Sequence, residues 1–231
     1  MAVASSASLP QPLVELPEVG KEAAEELAGE GEVGAAHHLA AGVHGELRHA
    51  QVHDAHARVG AQDGAELFPT FNWPHHRVDF LIAGGASALL RAVENAEDEA
   101  DTATAQITNI AVGPDDVVIG LATSGNTVFT TTAVTSAKQA GAVTIGIANN
   151  TDTALLNTAE YPILLATGAE MIAGSTRLKA GTAQKICLNL ISNMIMVKMG
   201  FVVDGMMAEM VPTNAKLRRR RAEIDTRLSR S

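Results

Sequence analysis

The sequence has few cysteines, few aromatic residues and no uncharged apolar run of membrane length, and each shortage excludes a class of protein. Among its 231 residues the only cysteine is Cys187, which excludes an internal disulfide framework and a cysteine-rich zinc site. The most apolar stretch, residues 186–203, contains Asn189, Asn193 and Lys198, which favours a buried helix over a membrane span. Aromatic residues make up 3% of a chain that is 46% hydrophobic, so we expect a core of aliphatic side chains.

Basic residues are scarce except at the end of the chain. The net charge is −9, whereas residues 215–231 hold seven basic and two acidic residues. An acidic body argues against a nucleic-acid partner. The run 218–221 (RRRR) admits contact with phosphate or an anionic membrane, but we favour a solvated helix end. The first residues lack the pattern of a secretory signal, so we expect a cytoplasmic protein with no membrane partner.

The composition of the chain changes near residue 57. Residues 1–56 are rich in Ala, Gly, Glu and His, and no convincing strand pattern occurs there. We expect a divergent or poorly ordered segment that adds little to the core. Six of the eight histidines lie in residues 37–56 without a sustained metal-ligand spacing, so we predict no metal site. Residues 57–221 then form the folded domain and residues 222–231 a tail.

From residue 78 onward, apolar runs alternate with helical patterns. The runs predict strands over residues 78–83, 117–123, 143–148 and 161–166, and helices are predicted over residues 86–98, 127–140, 155–158 and 176–199. Strands that are apolar throughout require cover on both faces, which predicts an α/β fold with a doubly wound parallel sheet. In such folds ligands bind at the carboxyl ends of the strands.

One candidate anion site follows the second of these apolar runs. Ser124, Gly125, Asn126 and Thr127 stand between a strand and a helix, where unpaired N–H groups and hydroxyls attract anions. The nucleotide-binding patterns of P-loops and Rossmann folds are absent. Because Ser and Thr also cap helices, the local residues leave a phosphate site and a simple cap equally open.

A second candidate lies at the start of the long helix. Ser175 and Thr176 are hydroxylic, and Arg177 and Lys179 place positive charge where the helix dipole disfavours it. An anionic ligand would explain these cations. Pairing with Glu170 or exposure to solvent would also explain them.

Residues 168–185, GAEMIAGSTRLKAGTAQK, resemble the signature of the N-acetylmuramic acid 6-phosphate etherases, which share a sugar isomerase (SIS) domain with the glucokinase regulatory protein. Further matches occur in the family's order. They are RVGAQDGAELFPTF (58–71), LIAGGASALLRAVENAED (81–98), DDVVIGLATSGNT (115–127) and PTNAKLRRR (212–220). The resemblance covers about residues 57–221 and implies a SIS-type sandwich that forms a homodimer.

The resemblance implies a cofactor-free lyase that removes D-lactate from N-acetylmuramic acid 6-phosphate and leaves N-acetylglucosamine 6-phosphate. A base removes the C2 proton, the C3 ether departs with help from an acid, and water adds to the unsaturated intermediate. The family's D-x-x-E segment assigns the acid to Glu66, and its A-V-E-x-A-E-D segment assigns the second carboxyl to Glu97. Paired carboxyls suit acid and base roles when their surroundings separate their pKa values.

Two departures from the family pattern keep other functions open. The residues before Arg58, HAQVHDAHA, replace an apolar strand followed by G-A-G-T-S-x-R, so the first strand is not recognisable and His56 stands where the family has a phosphate-binding serine. Asn126 replaces the family's usual arginine. A non-catalytic phosphosugar-binding regulator or an inactive remnant is the alternative, and a phosphosugar isomerase is a third possibility that product analysis would separate.

Overall fold

The computed structural model describes residues 48–53, 58–91 and 93–229, which form a five-stranded parallel sheet between helical layers. Its strands run in the order β2-β1-β3-β4-β5. They are β1 (Arg48–His53), β2 (Val78–Ile82), β3 (Asp116–Ala122), β4 (Val143–Ala148) and β5 (Tyr161–Leu164). This topology confirms the predicted α/β doubly wound parallel sheet.

The α-helices of the described residues are α1 (Arg58–Phe71), α2 (Ala100–Asn109), α3 (Val128–Gln139), α4 (Ala154–Thr158), α5 (Lys179–Lys198) and α6 (Ala215–Leu228). Helices α1 to α4 connect successive strands of the sheet, and α5 and α6 follow its last strand. A small hairpin, β6 (Val202–Val203) and β7 (Met206–Met207), follows α5. No helix in the described ranges is both long and apolar enough to cross a membrane.

Alternate residues of β3 show how the two faces of the sheet are covered. All seven of its residues are buried. Val118 packs with Phe129 of α3 on one face, and Ile119 packs with Leu188 of α5 on the other. Gly120 lets α3 approach closely, because a Cβ atom there would lie 2.5 Å from Val134. The apolar pattern of β3 therefore reflects burial on both sides.

Strand β1 is an interior strand between β2 and β3, and this corrects the prediction that residues 1–56 contain no strand. Ala50 and Val52 are buried in the core, so this part of the segment does contribute to it. The sequence does not predict this strand because Gln51 and His53 interrupt the apolar pattern. In the structure both side chains are nevertheless buried, at 2% and 1% exposure.

The register of β1 is fixed at its first residue. Arg48 lies opposite Asp116 of β3 and donates two hydrogen bonds to its carboxylate, at 3.0 and 3.1 Å. The same guanidinium donates to the backbone carbonyls of Ile110 and Ala111. A bidentate ion pair of this kind fixes the direction and the register of β1 against β3, whereas an apolar contact would not.

Two predicted helices differ from the structure. Residues 86–98 form two short 3-10 helices, Ala86–Leu89 and Ala96–Asp98, because Asn95 between them adopts a left-handed conformation with φ 61°. Helix α5 begins at Lys179 instead of residue 176.

The division of the chain at residues 56 and 221 stays a prediction. β1 lies before the first boundary and α6 crosses the second. Residues 1–47 and 54–57, which include His56 and most of the histidine-rich stretch, lie outside the described residues.

Candidate functional site

The floor of the candidate site is a network of amide side chains at the carboxyl edge of the sheet. Gln184 of α5, which is 1% exposed, donates to Asn149 Oδ1 at 3.0 Å and lies 3.5 Å from Thr123 Oγ1. Asn149 Nδ2 donates to the carbonyl of Leu165 at 2.9 Å. Thr123, Asn149 and Leu165 follow β3, β4 and β5, so the network ties three strand ends to α5.

The loop of residues 124–127 begins directly after Thr123 of this network, and side chains of the loop hold its conformation. Ser124 Oγ accepts a hydrogen bond from the Asn126 N–H at 3.1 Å. Gly125 has φ 71°, and a side chain there would collide with Thr153. Asn126 Oδ1 accepts from the first N–H of α4, at Ala154.

Thr127 is the N-cap residue of α3, but its side chain makes no capping hydrogen bond. The structure therefore lacks the simple cap that was one of the two alternatives for this loop. An N-terminus without a capping side chain leaves N–H groups available to an anion. Phosphate binding by Ser124, Gly125, Asn126 and Thr127 stays a prediction.

The second candidate segment, at the start of α5, is hydrogen-bonded to a carboxylate of the same chain, Glu170. Glu170 accepts hydrogen bonds from the N–H groups of Lys179 and Ala180, each at 3.0 Å to its Oε1. The bond from Ala180 is the largest of the causes that hold the pKa of Glu170 below its ordinary value of 4.5. Glu170 thus caps α5 and explains why this helix begins at Lys179.

The residues around that cap differ in how open they are. Lys179 Nζ donates to the Ala169 carbonyl at 2.8 Å, beside Glu170, and the role of Lys179 stays a prediction. Ser175 and Thr176 are half-buried, and Arg177 is exposed. Lys179 is exposed as well, so both cations of this segment are accessible to an incoming anion.

The two glutamates lie on elements that cover opposite faces of the sheet. Glu66 is exposed on α1, which packs beside α5. Glu97 is half-exposed in the short helix whose Ala96 packs into the same cluster as Phe129 of α3. Eight residues of helix separate Glu66 from the start of α1, about 12 Å of helical rise. Within one chain, Glu66 and Glu97 therefore do not meet at the carboxyl edge of the sheet. Their catalytic roles stay predictions.

Sequence reasoning missed a buried carboxyl, Asp63, one turn before Glu66. Asp63 Oδ1 accepts from Asn189 Nδ2 at 2.6 Å and from Ser192 Oγ at 3.0 Å. Burial raises the pKa of Asp63, while Ser192, Asn189 and the charge of Lys185 act in the opposite direction. The signal in the sequence lay on the partner's side, since Asn189 is a polar residue inside the apolar stretch 186–203.

Comparison with known sequences shows which proteins this chain is similar to. The model of the glucokinase regulatory protein N-terminal SIS domain matches residues 60–138. The chain is 48% identical over 160 residues to an N-acetylmuramic acid 6-phosphate etherase from Deinococcus radiodurans, covering 69% of this chain and 52% of the relative. It is 44% identical over 167 residues to the etherase of Pasteurella multocida, covering 72% and 56%. The chain spans about half the length of the curated relatives it matches.

Solved structures share the fold at low sequence identity. A phosphoheptose isomerase from Francisella tularensis aligns with a TM-score of 0.55 and 15% identity, over 77% of this chain and 93% of that one. The sugar isomerase domain of an RpiR transcription factor from Sphaerobacter thermophilus aligns with a TM-score of 0.52 and 15% identity, over 91% and 92%. These likenesses confirm the SIS-type fold.

The Glu170 cap makes the stability of the chain depend on pH. Because its folded pKa is lowered, the stabilisation is complete above the ordinary value of 4.5 and is lost as the pH falls through the lower folded value. We expect Glu170→Gln to melt below the wild type at pH 7, and we expect that difference to shrink in acid. Thermal denaturation between pH 3 and pH 7 measures it, with the exposed Glu209→Gln as the control. A difference that is constant over this range would contradict the cap.

Proposed function

The chain belongs to the N-acetylmuramic acid 6-phosphate etherase family, and from that premise we propose that it cleaves the D-lactyl ether of N-acetylmuramic acid 6-phosphate. The products are N-acetylglucosamine 6-phosphate and D-lactate. The observation that carries the proposal is 48% identity to an etherase over 160 residues, which is 69% of this chain. The reaction is a lyase reaction that needs no cofactor, because the open-chain aldehyde of the sugar itself acidifies the C2 proton.

The proposed phosphate site combines the two segments at the carboxyl edge. The 124–127 loop and the N-terminus of α3 receive the 6-phosphate, with Ser124, Gly125, Asn126 and Thr127 around it. Ser175, Thr176, Arg177 and Lys179 approach from the start of α5. What supports this arrangement is the Gln184 network, which ties the end of β3 to α5.

Two carboxyl groups supply the proton transfers in this proposal. Glu66 protonates the departing lactyl oxygen, and Glu97 moves the C2 proton or activates water. Glu97 lies near the carboxyl edge, beside the helix that follows the proposed phosphate loop. Each positioned acid or base contributes about 10²- to 10⁴-fold in rate.

A non-catalytic phosphosugar-binding regulator is the second candidate. It rests on the match of residues 60–138 to the domain model of the glucokinase regulatory protein, a type of domain that the etherases share, so the match does not favour it over the etherase. A regulator of this kind would bind the phosphosugar at the same loop and release no lactate. Product analysis therefore separates the two candidates directly.

We also propose that the chain acts as a homodimer in the cytoplasm. Ile186, Leu190, Met194 and Val197 form an apolar stripe along α5, and each is between 38% and 54% exposed. Their spacing places them on one face of the helix, which a second copy would cover. The chain has a single cysteine, Cys187, and so cannot form an internal disulfide, which suits a reducing compartment; cell fractionation tests that location.

The dimer proposal predicts that a charge in the stripe separates the copies. Leu190→Glu buries a carboxylate in the proposed interface, so we expect it to give single chains of 24.0 kDa where the wild type gives pairs. Light scattering on a sizing column measures the mass. Leu90→Glu, at an exposed leucine outside α5, is the control and should leave pairs intact. A wild type that runs as a single chain would overturn the proposal.

The etherase proposal predicts D-lactate release from N-acetylmuramic acid 6-phosphate by the purified protein. Glu66→Gln and Glu97→Gln should each lower kcat by about 10²- to 10⁴-fold and leave substrate binding nearly unchanged. A substrate with a better leaving group at C3 should rescue Glu66→Gln and not Glu97→Gln, because such a group needs no protonation. Glu94→Gln, an exposed neighbour in the same segment, is the matched control.

Three outcomes would contradict parts of this account. Binding without lactate release would favour the regulator. Wild-type rates in both glutamine variants would remove the two carboxyls from the mechanism. Equal rescue of both variants by the better leaving group would contradict their division of roles.

A further inference from the structure

Helix α1 is attached to α5 by a polar contact inside an otherwise apolar seam. Asp63 is 5% exposed, and its Oδ1 accepts hydrogen bonds from Asn189 and Ser192, both on α5. The surrounding contact is apolar, with Leu67 and Met196 packed in one cluster. A buried carboxyl is costly to desolvate, so its partners rather than its burial must account for its place in the seam.

The contact continues into α5 as an oriented chain of hydrogen bonds. Lys185 Nζ donates to Asn189 Oδ1 at 2.6 Å, and Asn189 Nδ2 donates to Asp63 Oδ1 at the same distance. Because the amide accepts at one end and donates at the other, it joins the cation of Lys185 to the carboxyl of Asp63. Each member therefore fixes the orientation of the next.

Hydrogen bonds of this kind fix the register of α1 against α5, which apolar packing alone does not determine. Sliding α1 by one residue along α5 would move it by about 1.5 Å and turn its side chains by about 100°. Leu67 could find a new apolar neighbour after such a slide, whereas Asp63 would lose both of its donors. The Asp63 contact is thus the part of the seam that selects one register.

On the basis of the proposed etherase activity, we propose that Asp63 is a positioning residue that holds Glu66 in register with α5. Glu66 follows Asp63 by three residues on α1, and α5 carries Lys179 and Gln184 at its start. The bonds to Asn189 and Ser192 therefore set the position of the proposed acid relative to the proposed phosphate site. Asp63 itself lies inside the seam and does not reach the substrate.

The consequence for the reaction is specific. A misplacement of about 1 Å at a reacting group can lower a rate by about 10²-fold. Substrate binding depends on the 124–127 loop and on the start of α5, neither of which includes Asp63. Loss of Asp63 should therefore reduce kcat and leave KM nearly unchanged, whereas general loosening of the fold would change both.

The experiment uses the full chain and compares Asp63→Ala with Asp63→Asn. We expect Asp63→Ala to lower kcat for lactate release by about 10- to 100-fold, with KM within about twofold of the wild type. Asp63→Asn keeps an oxygen that accepts from Asn189, so it should retain most of the rate. Gln62→Ala, an exposed neighbour on α1, is the matched control. Asn189→Ala should slow the wild type and add nothing further in the Asp63→Ala background.

A second measurement separates this inference from the proposed function. Amide hydrogen exchange of residues 58–71 should be faster in Asp63→Ala than in Gln62→Ala, at a temperature where both remain folded. If the wild type releases no lactate, the etherase proposal fails, and the exchange result alone decides whether Asp63 fixes α1. Unchanged exchange overturns the positioning role, and so does a parallel change of KM and kcat in an active protein.

Discussion

The pair formed by Arg48 and Asp116 sets the position of the strand on which the sheet depends. Strand β1 hydrogen-bonds to β2 on one side and β3 on the other, so its register is passed to both halves of the sheet. Two hydrogen bonds between the guanidinium and a nearly buried carboxylate hold its first residue opposite β3. A strand with only two apolar residues in the core needs such a directional contact, because its hydrophobic burial is small.

The parallel arrangement of the strands places the loops of the candidate site at one edge of the sheet. Every strand of the main sheet ends at the same side, and the segments that follow β2, β3, β4 and β5 meet there. The amide network around Gln184 joins those ends to α5, while Asp63 joins α5 to α1. Glu66 lies away from this edge, on the exposed surface of α1. The exposed stripe of α5 runs along the same layer, so a second copy seated on it would also lie close to α1.

Much of this fold follows from local patterns in the sequence, and the remainder depends on distant contacts. β3 and β4 could be predicted because nearly all of their residues are apolar, a pattern that requires two covered faces. β1 could not, because Gln51 and His53 are polar and the strand is recognised only by its neighbours. Asp63 was missed for a related reason, since its partners lie 126 and 129 residues further along the chain. Nothing in the residues around Asp63 distinguishes it from an exposed helical acid.

In the proposed etherase reaction, the site removes a proton from C2 of a phosphorylated amino sugar before the C3 ether leaves. Reaction of N-acetylmuramic acid 6-phosphate in deuterium oxide tests this claim most directly, with mass spectrometry and NMR of the sugar product. The account predicts N-acetylglucosamine 6-phosphate with deuterium at C2, because the proton removed from that carbon is replaced from solvent when water adds. Release of lactate with no deuterium at C2 would contradict the account and would point to direct displacement at C3.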